Sequence, residues 1–154
     1  MELNPRNDAL GFAQRTRKNL LHIESARDDG IDVHVVTQLG TSLLGLVVFP
    51  RAQDLDSKVR SLDWATLRAD GWPEWRVTLG QCNTLGDFIY HLRNAVAHGH
   101  VRFSSDDRDL NRVTIEVEDY KQGESAPYWR ACVSGRDLRE FCLKFIDLVE
   151  QTLG

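Results

Sequence analysis

"DVHVVTQLGTSLLGLVVF" (residues 32–49) can be read in two ways. Its valines and threonines suit a strand, because β-branched side chains pack well on a pleated surface. Its length and spacing suit a helix: Val35, Val36, Leu39, Leu43, Leu46 and Val47 recur at helical intervals, over a span longer than an ordinary strand. Asp32 is then the expected N-cap and Pro50 the stop. Gly40 and Gly45 would each cost roughly 1 kcal/mol against alanine in a helix interior. Another helix packed closely on them would explain that cost, so this segment is expected to be the most buried helix of the chain.

The flanking segments support a helical fold. Residues 7–27 carry Leu10, Ala13, Leu20 and Leu21 on one face and Arg15, Arg17 and Lys18 on another, with Asn7 as a candidate cap. Residues 84–98 start at Thr84, with Asp87 three positions on, a close relative of the capping box. Their apolar stripe is Leu85, Phe88, Ile89, Leu92 and Val96, and Gly99 stops them. Residues 135–153 form the last helix, capped by Ser134 and burying Leu138, Phe141, Cys142, Phe145, Leu148 and Val149. Residues 51–83 are less regular, with one or two short helices within 57–67 and a turn at "DGWPEW". Trp64, Trp72 and Trp75 there are expected in the core rather than on a stacking platform. The period changes to two in "RVTIEVEDY" (residues 112–120) and "YWRACVS" (128–134), joined by "KQGESAP", which reads as a hairpin. The expected fold is therefore all-α: an antiparallel bundle of four to five helices in a single domain over residues 1–154, with a small β-hairpin insertion at about 112–133 before the last helix.

Composition sets limits on function. The net charge is -4, so a nucleic-acid partner would be held by a local patch rather than by overall charge. Arg93, His98, His100, Arg102, Arg108 and Arg112 supply such a patch in sequence, diluted by Asp106, Asp107 and Asp109; Arg15, Arg17 and Lys18 would join it if the first helix lay alongside. The 3 cysteines are an odd number without a C-x-x-C pair, so neither a disulfide framework nor a cysteine zinc site is expected, and a cytoplasmic location fits best. "MELNPRND" has no apolar core of a signal peptide. The longest strongly apolar run, residues 43–49, is far short of the roughly 20 residues that span a bilayer.

The chemistry concentrates in "LRNAVAHGH" (residues 92–100). His91, Asn94 and His98 share one side of the helix, and Arg93 stands next to them. His98 lies on the last turn, where unsatisfied carbonyls favour positive charge. An imidazole there suits proton transfer near neutral pH, and a guanidinium binds phosphate as a two-pronged donor. Together they make a minimal kit for breaking a phosphodiester. In RNA the 2′-OH is the nucleophile, so neither a metal nor another cofactor is required. The residues alone leave a second reading open, in which His98 caps the helix and Arg93 pairs with Asp87 or another acid. His91 reads as a hydrogen-bonded core or interface histidine. A metal site from His91, His98 and His100 lacks the carboxylate or cysteine partners expected for zinc.

"FIYHLRNAVAHGHVRF" (residues 88–103) resembles the signature helix of HEPN domains: arginine, a polar residue, a short spacer, then histidine. "FAQRTRKNLLHIE" (12–24), "VVTQLGTSLLGLVVFP" (35–50) and "GRDLREFCLKFIDLVE" (135–150) look like a plasmid- and bacterial-genome-borne HEPN subfamily, so the resemblance covers most of the chain. It implies a helical bundle that forms a homodimer with the two motif helices facing across the two-fold. It also implies a metal-independent endoribonuclease of the toxin–antitoxin, abortive-infection or CRISPR-associated kind, with RNA as substrate and an antitoxin or other protein as a further partner. Arg93 would hold the scissile phosphate, Asn94 would orient the site and His98 would handle the proton, leaving a 2′,3′-cyclic phosphate. His100 and Arg102 would be auxiliary substrate contacts. Some members are non-catalytic and bind RNA, nucleotide or protein instead.

Overall fold

The computed structural model describes residues 5–48 and 52–154. The elements are α1 (Pro5–Asp28), α2 (Val35–Val48), α3 (Gln53–Ser61), α4 (Trp64–Ala69), β1 (Arg76–Leu79), α5 (Leu85–Ala97), β2 (Val101–Phe103), β3 (Thr114–Asp119), β4 (Trp129–Ser134) and α6 (Gly135–Leu153). The chain is mostly helical, but it is not all-α. The hairpin β3–β4 is the centre of an antiparallel four-stranded sheet in the order β1-β4-β3-β2. The extra strands have 4 and 3 residues, too short to show an alternating pattern. They pair because the two open edges of the hairpin present unpaired N–H and C=O groups. Ile115 and Val117 turn inward on β3, which packs on α5.

α2 is a helix, as its spacing requires, and it buries Val35, Val36, Leu39, Leu43, Leu46 and Val47. Its cap differs from expectation. The Thr37 N–H donates to His34 Nδ1 at 3.2 Å, while Asp32 pairs with Arg108. The expected stop at Pro50 lies outside the described residues. A Cβ on Gly45 would come within 2.4 Å of the Phe12 ring of α1, the close helix contact that the glycine suggests; at Gly40 the close neighbour is instead Phe103 of β2, at 3.0 Å.

α1 starts two residues before Asn7, so Asn7 sits inside the helix rather than capping it. Leu21 is 48% exposed, not on the buried face, which runs through Ala9, Ala13, Leu20 and Ala26. This helix packs on α2 and α6, where Arg17 binds Asp147 at 2.6 Å and Glu150 at 2.9 Å, so its charge is spent on α6. Phe88 of α5 lies at the centre of the aromatic core, with ring centroids 5.5, 5.0, 5.7 and 5.6 Å from Trp64, Trp75, Trp129 and Phe141. Mostly edge-to-face, such pairs add about 0.5–1.5 kcal/mol each beyond area burial. They hold the motif helix against both the sheet and α6.

Candidate functional site

Both ends of α5 are tied down by local chemistry. At its start the Thr84 hydroxyl accepts from the Asp87 N–H at 3.1 Å, and the Asp87 carboxylate accepts from the Thr84 and Asn83 N–H groups at 3.0 and 3.1 Å. At its end Gly99 takes φ 71°, a left-handed conformation that glycine adopts without strain. There the Gly99 N–H donates to the Val96 carbonyl at 3.1 Å and the His100 N–H to the Ala95 carbonyl at 2.7 Å, a Schellman turn. The turn sets His98 and His100 on the same side of the molecule, with ring centroids 6.1 Å apart.

Both histidines line a cleft of about 1000 Å³ between the end of α5, β2 and the β3–β4 turn. Asn94, Arg102, Tyr120 and Lys121 face the same space. The structure thus brings together four of the five residues singled out in the sequence: Asn94, His98, His100 and Arg102.

Arg93 is on the other flank of α5. Its Nε donates to the Val47 carbonyl at 2.7 Å, and Nη1 lies 3.7 Å from Asp56, so the acid beside it is Asp56 of α3 rather than Asp87. It lines a separate cleft of about 460 Å³ with Asp56, Arg60, Gln81 and His91. Between the flanks stands Tyr90, 58% exposed at the middle of the helix's open face. The rest of the expected basic patch is partly neutralised: Arg108 pairs with Asp32, and Arg112 lies 3.8 and 3.6 Å from Asp107 and Asp109.

Two carboxylates of β3 support the site, and the sequence reading passed over both. Asp119, 1% exposed, accepts through Oδ2 from His91 Nδ1 at 2.8 Å, Asn94 Nδ2 at 3.1 Å and the Tyr128 hydroxyl at 2.8 Å. His91 is therefore the hydrogen-bonded buried histidine its position suggested, stacked on Trp129 at 4.5 Å. Burial, followed by donation to Asp119, pushes the Tyr128 hydroxyl up. The second carboxylate, Glu118, accepts from Tyr120 at 2.8 Å and from Arg130 Nη2 at 2.6 Å, with Arg102 at 3.4 Å. Burial opposes its charge, but these donors and cations outweigh burial and hold it below the usual carboxylate range. A signal for Asp119 was present in the sequence. It has the same strand parity as Ile115 and Val117, and an acid on the apolar side of a strand needs buried donors.

Among the described residues, no group of three or more His, Cys, Asp or Glu side chains is arranged to hold a metal ion, and no helix is long and apolar enough to cross a membrane. No curated protein and no solved structure matches the chain. The family profile described as HEPN pEK499 p136 matches residues 2–153, almost the full length, and the chain belongs to that HEPN family.

Proposed function

We propose that this HEPN protein is a metal-independent endoribonuclease that works as a homodimer, in a toxin or phage-defence role. The observation that carries the reading is the cleft at the end of the motif helix, where Asn94, His98, His100 and Arg102 face one space large enough for a nucleotide. In this reading the 2′-OH of RNA attacks the adjacent phosphorus, His98 moves the proton, Asn94 orients the site, and His100 and Arg102 contact the substrate. Arg93 binds phosphate from the opposite flank. Pairing of α5 with its copy, over the exposed Tyr90, would enclose both flanks in one composite site.

The test is incubation of purified protein with structured and unstructured RNA in EDTA. Wild type is expected to cleave and to leave 2′,3′-cyclic ends, while Arg93→Ala and His98→Ala lose activity. Equal cleavage by wild type and both variants would remove the catalytic claim. Light scattering at micromolar concentration should give a dimer; a monomer would count against a composite site.

A non-catalytic module that binds RNA, nucleotide or a protein partner is the second reading. What favours it is the engagement of Arg93 with the Val47 carbonyl and Asp56, which occupies the phosphate-binding side chain. It expects His98→Ala to bind its partner as wild type does and wild type to cleave nothing.

A further inference from the structure

We infer that His98 and His100 of one chain act as a base–acid pair in RNA cleavage, so that the proton chemistry is completed within a single protomer. The inference rests on the endoribonuclease reading and goes beyond it by making His100, the second residue past the motif, a catalytic residue rather than an auxiliary contact.

An in-line displacement at phosphorus needs a proton taken from the attacking oxygen on one side and given to the leaving oxygen on the other. Two imidazoles with centroids 6.1 Å apart line one open cleft, so a phosphate seated in that cleft alongside both rings can bring one oxygen to each within a hydrogen bond of about 2.6–3.2 Å. The spacing is held by covalent structure: Gly99 is the only residue between them, and its turn is locked by two backbone hydrogen bonds.

His100 is positioned from beneath. Its ring packs on Tyr120 with centroids 4.3 Å apart. The Tyr120 hydroxyl donates to Glu118, the buried carboxylate that also holds Arg102 and Arg130. The His100 carbonyl accepts from the Glu118 N–H at 3.1 Å, so backbone and ring are both registered to β3. Arg102, 3.4 Å from Glu118 and otherwise exposed, brings a cation to the same cleft for a phosphate. This anchoring is more than a surface histidine needs.

The step balances without a co-reactant. One imidazole takes the proton of the 2′-OH as O2′ bonds to phosphorus. The P–O5′ bond breaks, and the other imidazole, entering as imidazolium, gives its proton to O5′. The products are a 2′,3′-cyclic phosphate and a 5′-OH, and the two histidines end with exchanged protonation states that solvent resets.

The experiment uses the full chain and an oligoribonucleotide whose cleaved bond has been mapped, beside the same oligonucleotide with sulfur replacing O5′ at that bond. A thiolate leaves without needing a proton. His98→Ala and His100→Ala are each expected to lose about 10²–10⁴-fold on the ordinary substrate, the usual size of a general acid or base contribution. On the sulfur substrate, one variant and not the other should recover to within about tenfold of wild type, which an unfolded variant could not do. Wild-type rates in His100→Ala, with His98→Ala inactive, would overturn the pair and leave the endoribonuclease reading standing. Rescue of both variants or of neither would also overturn it. A wild type that cleaves neither substrate would remove both.

Discussion

The side-chain amide of Asn94 donates to the buried carboxylate of Asp119 at 3.1 Å, which couples the polar residue of the motif to the sheet. The same carboxylate oxygen takes His91 and Tyr128, so one acid holds three donors, two from α5 and one from the β3–β4 turn. The motif helix therefore depends on β3 for its orientation.

Asp119→Ala should be strongly destabilising. It leaves the buried His91 donor without its acceptor and takes the same acceptor from Asn94 and Tyr128, which are half-buried at the wall of the cleft; a buried unpaired donor costs about 1–3 kcal/mol. Urea denaturation should show a loss on the order of 3 kcal/mol. Tyr128→Phe removes one donor and keeps the acceptor satisfied by two others, so its loss should be about 1 kcal/mol. Equal losses in the two variants would contradict the shared-acceptor arrangement.

Glu118 gives the stability a definite pH dependence. Its folded pKa is depressed, so its contribution is complete above the unfolded value near 4.3 and disappears as the pH falls through the lower folded value. Melting temperature should drop below about pH 4 in wild type. Glu118→Gln should melt lower than wild type at neutral pH and fall less steeply on acidification; parallel curves would show that Glu118 does not supply this limb.

The Gly45–Phe12 contact sets the spacing of α1 and α2. Gly45→Ala should destabilise by about 1–3 kcal/mol through overpacking, in spite of the better helix propensity of alanine. In a Phe12→Ala background the same change should become neutral or stabilising by up to about 1 kcal/mol, because only the propensity gain remains. A double-mutant cycle by denaturation measures this, and additive effects would refute the contact.

Two thiols should be silent in the native protein. Burial pushes Cys82 up to about 11 and Cys142 up to about 12, and the thiolate is the reactive form. Iodoacetamide at pH 8 should leave both unmodified by mass spectrometry in buffer and modify both in urea. Rapid native modification of Cys142 would mean that α6 opens on the time scale of the reaction.

The helices were legible because they are local. α2 could be told from a strand by the spacing Val35 to Val47, and α5 carried its capping box at Thr84 and Asp87 and its stop at Gly99, all within a few residues. β1 and β2 were not legible, because strands this short carry no period and exist only where the hairpin edges accept them. Asn94, His98, His100 and Arg102 were named from the sequence, and their common cleft follows from one helix end and the strand after it. Arg93 is the instructive exception. Adjacent positions on a helix are about 100° apart, so neighbours in sequence can face different clefts. The competition between Asp87, on the same helix, and Asp56 with the Val47 carbonyl is decided by how α2 and α3 pack on α5.

Local order thus came from the chain itself: the existence of the main helices, the caps of α5 and α6, the glycine turn and the positions of the motif residues, because hydrogen bonds between near neighbours and apolar periodicity act over a few residues. Which flank each polar side chain serves, which buried carboxylate receives it, and that Asp119, 25 residues away, holds Asn94 were decided by tertiary packing. The physical reason is that a buried polar side chain is tolerated only where hydrogen-bond partners from distant parts of the chain converge on it, and that convergence exists only in the folded chain.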